Sequence, residues 1–136
     1  MNNIKVLLNI SKLSIDLETE NPLIILGKDK IKLANISTNY SLKSFFKQEF
    51  AIKNLLINSE KNQIKKVLKL ARSHKDSAQL LILDKLIKSG YTKISIKLNF
   101  DQKGKIISDE YEILADIDDL TIDLFNKRKI SNISAN

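Results

Sequence analysis

The chain has 136 residues, a formal net charge of +7 and an apolar fraction of 43%. This length suits one globular domain or a segment of a longer protein, and the absence of cysteine excludes a disulfide framework and a thiolate metal site. Arg72 and Arg128 are the only arginines among 23 basic residues. Because base and phosphate recognition favours arginine forks, we do not expect nucleic-acid binding despite the charge.

Alternating apolar residues, which are typical of half-buried strands, dominate the chain. The alternation predicts a first strand over 4–17 with a bend near its middle, and a short strand over 23–26. A short helix with Ser41 as its N-cap is expected around 42–46. The remaining strands are predicted over 31–40, 49–58, 92–100 and 109–124.

The hydrophobic period changes in one insertion over residues 60–89. An i, i+3, i+4, i+7 stripe predicts an amphipathic helix over 61–72, with Ser59 as its N-cap. A second helix is predicted over about 77–89, ended by Gly90. Because apolar residues cover most of the circumference of this second helix, we expect it to be more buried than the first.

One spacing, apolar-x-apolar-x-x-apolar-x-apolar, recurs four times. A skipped residue would turn the second half of a strand onto the opposite face unless the strand bulges or bends there. The spacing therefore predicts kinks at residues 11–12, 34–35, 53–54 and 118–119. We expect an α+β, mainly β fold: long kinked antiparallel strands in one curved sheet, a half-open groove, with the two-helix insertion.

The segment Tyr40–Asn58 reads YSLKSFFKQEFAIKNLLIN, a strand followed by a one-turn helix and a strand with a polar kink. This resembles the AsmA-like family of bacterial envelope proteins, whose chains repeat that arrangement. The kinked patterns at 10–13 and 117–120 are similar. The chain departs from the family pattern in two ways. It lacks the family's usual anchor helix, as expected of a fragment, and it has Gln48 where a glycine often follows the short helix.

The resemblance implies a single β-groove segment over 1–136, part of a longer repeated chain in the periplasm and tethered to the inner membrane through an anchor outside this sequence. It implies a non-enzymatic role in phospholipid transport and outer-membrane homeostasis, with acyl chains as partners and no cofactor. The residues predicted to line the groove are Leu8, Ile10, Ile31, Leu33, Phe50, Ile52, Ile94, Ile96, Leu98, Ile113 and Ile117.

Cations on the first predicted helix are candidates for contact with anionic lipid headgroups, with an ordinary solvated face as the alternative. These are Lys61, Lys65, Lys66, Lys69 and Arg72. No Ser-His-Asp set, glycine-rich phosphate loop or metal-ligand spacing is present, so we predict neither an enzyme nor a metal site. The second hypothesis is a structural or protein-interaction β-module without lipid, and the third is a basic nucleic-acid-binding domain.

Overall fold

The computed structural model describes residues 3–75, 77–124 and 128–135. Strands make up 55% and helices 21% of the protein, so the predicted mainly β class is confirmed, with strands paired antiparallel in an open sheet. The elements in chain order are β1 (Ile4–Asn9), β2 (Ser14–Glu20), β3 (Leu23–Leu26), β4 (Asp29–Ser41), α1 (Leu42–Phe46), β5 (Ile52–Ser59), β6 (Asn62–Gln63), α2 (Ile64–His74), α3 (Ala78–Leu86), β7 (Ile87–Asn99), β8 (Glu112–Leu124) and β9 (Arg128–Ala135).

The strand order is β1-β2-β4-β5-β7-β8-β9, with β3 paired to β4 and β6 paired to β7. Two compact units divide the described residues. The first unit lies within 1–22, 33–59 and 94–114, and the second lies within 23–32, 60–93 and 115–136. Strands β4, β7 and β8 each contribute residues to both units.

The N-terminal pattern forms a hairpin, and the prediction of a single strand over 4–17 is wrong. In the first unit, β1 and β2 pair antiparallel, with Leu8 opposite Ile15. The chain reverses over residues 10–13, where Leu13 has a positive φ of 50° and its N–H donates to the Ile10 carbonyl at 3.2 Å. The Asn9 side chain accepts from the Lys12 N–H at 3.0 Å, which closes the turn.

The other three repeats contain the predicted kinks. In the first unit, the register of β4 against β5 shifts between Leu33 and Asn35, and again opposite the step from Ile52 to Asn54. In the second unit, β8 shifts against β9 between Ile117 and Leu120. All four predicted positions therefore lie at a turn or at an irregularity, as the skipped residue requires. Each extra residue returns the next apolar side chain to the face used before it.

The second unit contains both helices of the insertion. Their existence is confirmed, but the expected order of burial is wrong. On α3, Leu81, Ile82 and Leu83 are 38%, 52% and 43% exposed, whereas Ile64 on α2 is only 6% exposed. The apolar residues of α3 surround the helix, so packing against α2 covers only part of its circumference.

The ends of these helices also differ from the expectation. Gln63 precedes α2 without a side-chain cap, and Ser59 instead accepts from the Ile94 N–H at 2.7 Å. Gly90 does not end α3, because it lies within β7. A Cβ on Gly90, whose φ is 143°, would lie 3.2 Å from the Cα of Leu120, so a close strand approach requires glycine here.

A single buried side chain completes the strand edge of β4 in the second unit. Asn62 is 6% exposed, and its Oδ1 accepts from the Lys32 N–H at 2.9 Å. Its Nδ2 donates to the carbonyl oxygens of Lys32 and Glu60, both at 2.8 Å. The amide thus substitutes for a strand residue by bonding both backbone groups of Lys32.

Asn62→Ala should lower the free energy of unfolding by about 1–3 kcal/mol, because the Lys32 N–H loses its partner, whereas the Lys32 carbonyl keeps its bond from the Glu60 N–H at 3.1 Å. The matched control is Gln63→Ala, the exposed neighbour, which should cost less than about 0.5 kcal/mol. Denaturant unfolding followed by circular dichroism measures both changes. Equal costs for the two variants would contradict this role of the amide.

Candidate functional site

The first unit has one predominantly apolar sheet face. Cross-strand partners share a face, and the registers align Val6, Leu17, Thr38, Leu55 and Leu98 in one row across five strands. Parallel rows lie on either side of it. We call the apolar members of these rows the apolar strip: Ile4, Val6, Leu8, Ile15, Leu17, Ile36, Tyr40, Ile52, Leu55, Ile57, Ile96 and Leu98.

The apolar strip is only partly covered. On β1, Ile4, Val6 and Leu8 are 69%, 60% and 61% exposed, and the members on the inner strands are half-buried. At one end of the strip, the ring of Phe45 lies 6.1 Å from that of Tyr40, measured between centroids. A sheet face of this kind leaves apolar area in contact with water, and such area favours an apolar partner.

The structure brings together part of the predicted groove lining. Leu8, Ile52, Ile96 and Leu98 belong to the apolar strip, and Ile94 continues the alternation of β7 on that face. These residues occupy the positions that the alternation predicted for a shared face. They come from strands far apart in the sequence, which only the register could align.

The other predicted lining residues are placed differently. Ile31 and Leu33 are each 4% exposed, so they belong to the core. Ile10 lies in the turn after β1 and not on a strand. Phe50 packs its ring edge-on against Phe100, with centroids 5.6 Å apart. Two further predicted residues lie on β8, Ile113 exposed in the first unit and Ile117 half-buried in the second.

The prediction missed several strip residues that belong to the second halves of the repeats. Ile15, Ile36, Leu55 and Ile57 follow a skipped residue, and simple alternation assigns them to the opposite face. The reversal after β1 and the two bulges bring them back to the same face as the first halves. The repetition of the skip itself was the available signal.

The opposite face of the first unit is polar and internally hydrogen-bonded. Ser95 donates to Asn58 at 2.7 Å, Asn58 donates to Asn35 at 2.7 Å, and Asn35 donates to Glu18 at 3.1 Å. This chain of side chains crosses four strands. A cavity of about 300 Å³ opens on this face beside Asp16 and neighbouring polar groups. The two faces therefore differ sharply in polarity, and only one is predominantly apolar.

Most of the predicted headgroup cations bind carboxylates within the second unit. Lys65 and Arg72 both reach Asp84 of α3, at 3.1 and 2.9 Å. Lys69 pairs with Asp29 at 2.5 Å. These pairs stabilise the unit and reduce the positive charge that α2 offers to an anionic partner.

Two further members of that set differ in their surroundings. Lys61 precedes β6, pairs with Asp118 at 3.1 Å and lies 5.2 Å from the ring centroid of Tyr91. Lys66, within the part of the chain that the structure describes, has no ion-pair partner. The cations are thus a mostly paired set rather than a free basic stripe.

Among residues 3–75, 77–124 and 128–135, no group of three or more His, Cys, Asp or Glu side chains is arranged to hold a metal ion. Asp118 and Asp123, from an acidic cluster on β8, pair with Lys61 and Lys88 at 3.1 and 3.5 Å. None of the helices in the described residues is long and apolar enough to cross a membrane.

Acid should weaken the contact between α2 and α3 through Asp84. The hydrogen bond from Lys65, followed by the charges of Lys65 and Arg72, lowers the pKa of Asp84 below its ordinary value. Because the folded pKa is the lower one, the stabilisation is present above the unfolded pKa, about 4, and is lost as pH falls through the folded pKa. The Asp84→Asn variant should therefore lose less stability than the wild-type protein as the pH falls through this acidic range. Thermal unfolding of both proteins at a series of pH values measures the difference.

The matched control for this acid effect is Asp109→Asn, in the loop before β8 and outside the helix pair. It should keep the acid dependence that Asp84 confers. An Asp84→Asn variant whose stability falls as steeply with pH as that of the wild type would contradict the proposed role of the ion pairs.

Comparison of the chain with protein-family models, with curated proteins and with solved structures finds no match. The AsmA-like resemblance therefore stays a prediction from the sequence pattern. The polarity, exposure and register of the residues described above are the observations that bear on its function.

Proposed function

We propose that the apolar strip holds lipid acyl chains and that the chain is a non-enzymatic segment of an AsmA-like envelope protein. The observation that carries this proposal is a predominantly apolar face, interrupted only at Thr19 and Thr38, that is aligned across five strands of the first unit and only partly covered. Linear acyl chains match such a face because they need apolar contact along their length and no specific polar partner.

The energetics favour an acyl chain over water on this surface. Burial contributes about 0.8 kcal/mol per methylene, so eight carbons offer roughly 6 kcal/mol before the cost of association is subtracted. The half-buried members of the strip, such as Leu55 and Ile96, would gain further burial from the bound chain. The exposed members on β1 would gain most.

The local geometry around α1 supports the family resemblance. Ser41 caps α1 by accepting from the Ser44 N–H at 3.2 Å, and a strand with a bulge follows. Gln48 has a φ of 58°, a conformation that glycine adopts without strain. This explains physically why glycine suits that place in the family pattern.

The proposal includes a location and a cellular role. The location is the periplasm, with tethering to the inner membrane through the longer parent protein. The role is phospholipid transport and outer-membrane homeostasis.

The alternatives have less support. A purely structural β-module without lipid predicts a sheet face that the protein itself covers, whereas Ile4, Val6 and Leu8 are each at least 60% exposed. A protein-interaction β-module also fits an exposed face, but it requires a partner surface of matching shape, whereas an acyl chain needs apolar contact alone. A nucleic-acid-binding domain requires cations available to phosphates. Lys65 and Arg72 are instead bound to Asp84. Acyl-chain binding therefore remains the function that the geometry supports best.

Ile96→Asp should weaken lipid binding about tenfold or more, because it places a carboxylate within the apolar strip, opposite Ile57. The measurement is photo-crosslinking with a diazirine phospholipid, with native mass spectrometry to detect bound lipid. We expect crosslinks to strip residues in the wild-type protein.

The matched control is Leu56→Asp, one residue from Ile57 but on the polar face, where its partner is Lys97. This variant should bind lipid as the wild type does, and circular dichroism checks that both variants remain folded. If folded wild-type protein neither retains nor crosslinks lipid, or if the two variants bind it equally well, the acyl-chain proposal is wrong.

A further inference from the structure

Strand β1 lies at the end of the strand order, and among the described strands it pairs with β2 alone. The Glu20 N–H donates to the Asn3 carbonyl at 3.0 Å, which sets the hydrogen-bonding parity of the pair. Because inward and outward groups alternate along an antiparallel strand, the backbone N–H and C=O groups of Ile4, Val6 and Leu8 point away from β2. Because no other described strand pairs with these groups, they form an open hydrogen-bonding edge.

This edge lacks the protection that usually prevents strand pairing. Edge strands are commonly guarded by lysine, by proline or by bulges. β1 has no proline and pairs with β2 in unbroken register. Its single charge, Lys5, is bonded to Glu20 on β2. Leu7, on the otherwise polar face, is 67% exposed, so β1 is apolar on both sides like a strand inside a sheet.

We propose that β1 is a homodimer interface, at which the β1 strands of two copies pair antiparallel about a two-fold axis at Val6. This register places Val6 opposite Val6 of the second copy and Ile4 opposite Leu8 of the second copy. Both are pairs of outward-facing residues, so each pair can exchange two backbone hydrogen bonds. A register shifted by one residue would oppose an outward-facing residue to an inward-facing one, and these bonds would be lost.

The side chains fit the same arrangement. Lys5 falls opposite Leu7 of the second copy, so the two lysines do not face each other and the lysine stem can lie along leucine. On the other face, Ile4, Val6 and Leu8 meet the same three apolar residues in reverse order. A second copy therefore pairs the outward backbone groups of β1, keeps the two lysines apart and matches side chains on both faces, and the isologous contact uses the β1 edge of both copies.

Pairing at β1 does not depend on lipid binding, because it involves only the backbone parity and the side chains of β1. It predicts a concentration-dependent dimer of the 136-residue chain, measured by size-exclusion chromatography with light scattering and by sedimentation. Val6→Pro should weaken this dimer about tenfold or more, because it removes the N–H of each copy at the two-fold axis. It leaves the bonds to β2 in place because that N–H faces outward.

The matched control is Ile25→Pro on β3, which pairs with β4 alone among the described strands. Ile25 is 65% exposed, close to the 60% of Val6. Its N–H also faces outward, by the parity that the bond from Leu33 N–H to the Pro22 carbonyl sets at 3.0 Å. This variant should dimerise as the wild type does. A wild-type monomer, or a dimer that Val6→Pro leaves intact, would overturn the proposal.

Cysteine crosslinking tests the register even where a proline variant fails to fold. The chain has no native cysteine, so Val6→Cys introduces the only thiol. Hydrogen-bonded antiparallel partners lie about 5.5 Å apart at Cα, within disulfide range, so oxidation should link two copies rapidly. A mixture of Ile4→Cys and Leu8→Cys proteins should give mainly the mixed dimer. Crosslinking of Val6→Cys no faster than that of Ile25→Cys would refute the proposed pairing.

Discussion

The structure depends on a constraint of parity: successive side chains on a strand point to opposite faces, and the apolar ones must share a face. The repeated skip violates simple alternation, and the backbone compensates each time. A reversal at residues 10–13, bulges near Ala34 and Lys53, and an irregularity at 118–119 restore the parity. Without the reversal and the two bulges, the first unit would carry apolar residues on both faces.

Polar side chains stabilise the arrangement where the backbone departs from regular pairing. Asn54 accepts from the Asn39 N–H at 3.2 Å beside the bulge in β5, and Thr38 donates to the Asn54 carbonyl at 2.6 Å. Asn62 performs a related role for Lys32 in the second unit. The asparagines thus compensate for backbone bonds that a kinked strand cannot make, since an unpaired buried backbone group costs more than a bond contributes.

The polar and the apolar face of the first unit have different physical roles. The polar face satisfies its own hydrogen bonds through Ser95, Asn58, Asn35 and Glu18, and it requires no partner for stability. The apolar strip cannot satisfy itself in the same way, because its exposed members on β1 meet water. The proposed lipid binding would cover this apolar face, and the proposed pairing of two copies would use the backbone edge of β1.

Periodicity alone determined the mainly β class, the helical insertion, the N-cap at Ser41 and the positions of the kinks, because these depend on neighbouring residues. It also found strip members such as Ile52, Ile96 and Leu98. Tertiary structure decided whether each kink was a bulge or a reversal, that Leu33 is core while Ile96 is half-buried, and that α3 is exposed. Those outcomes depend on which strands become neighbours and in what register, and local spacing carries no information about either.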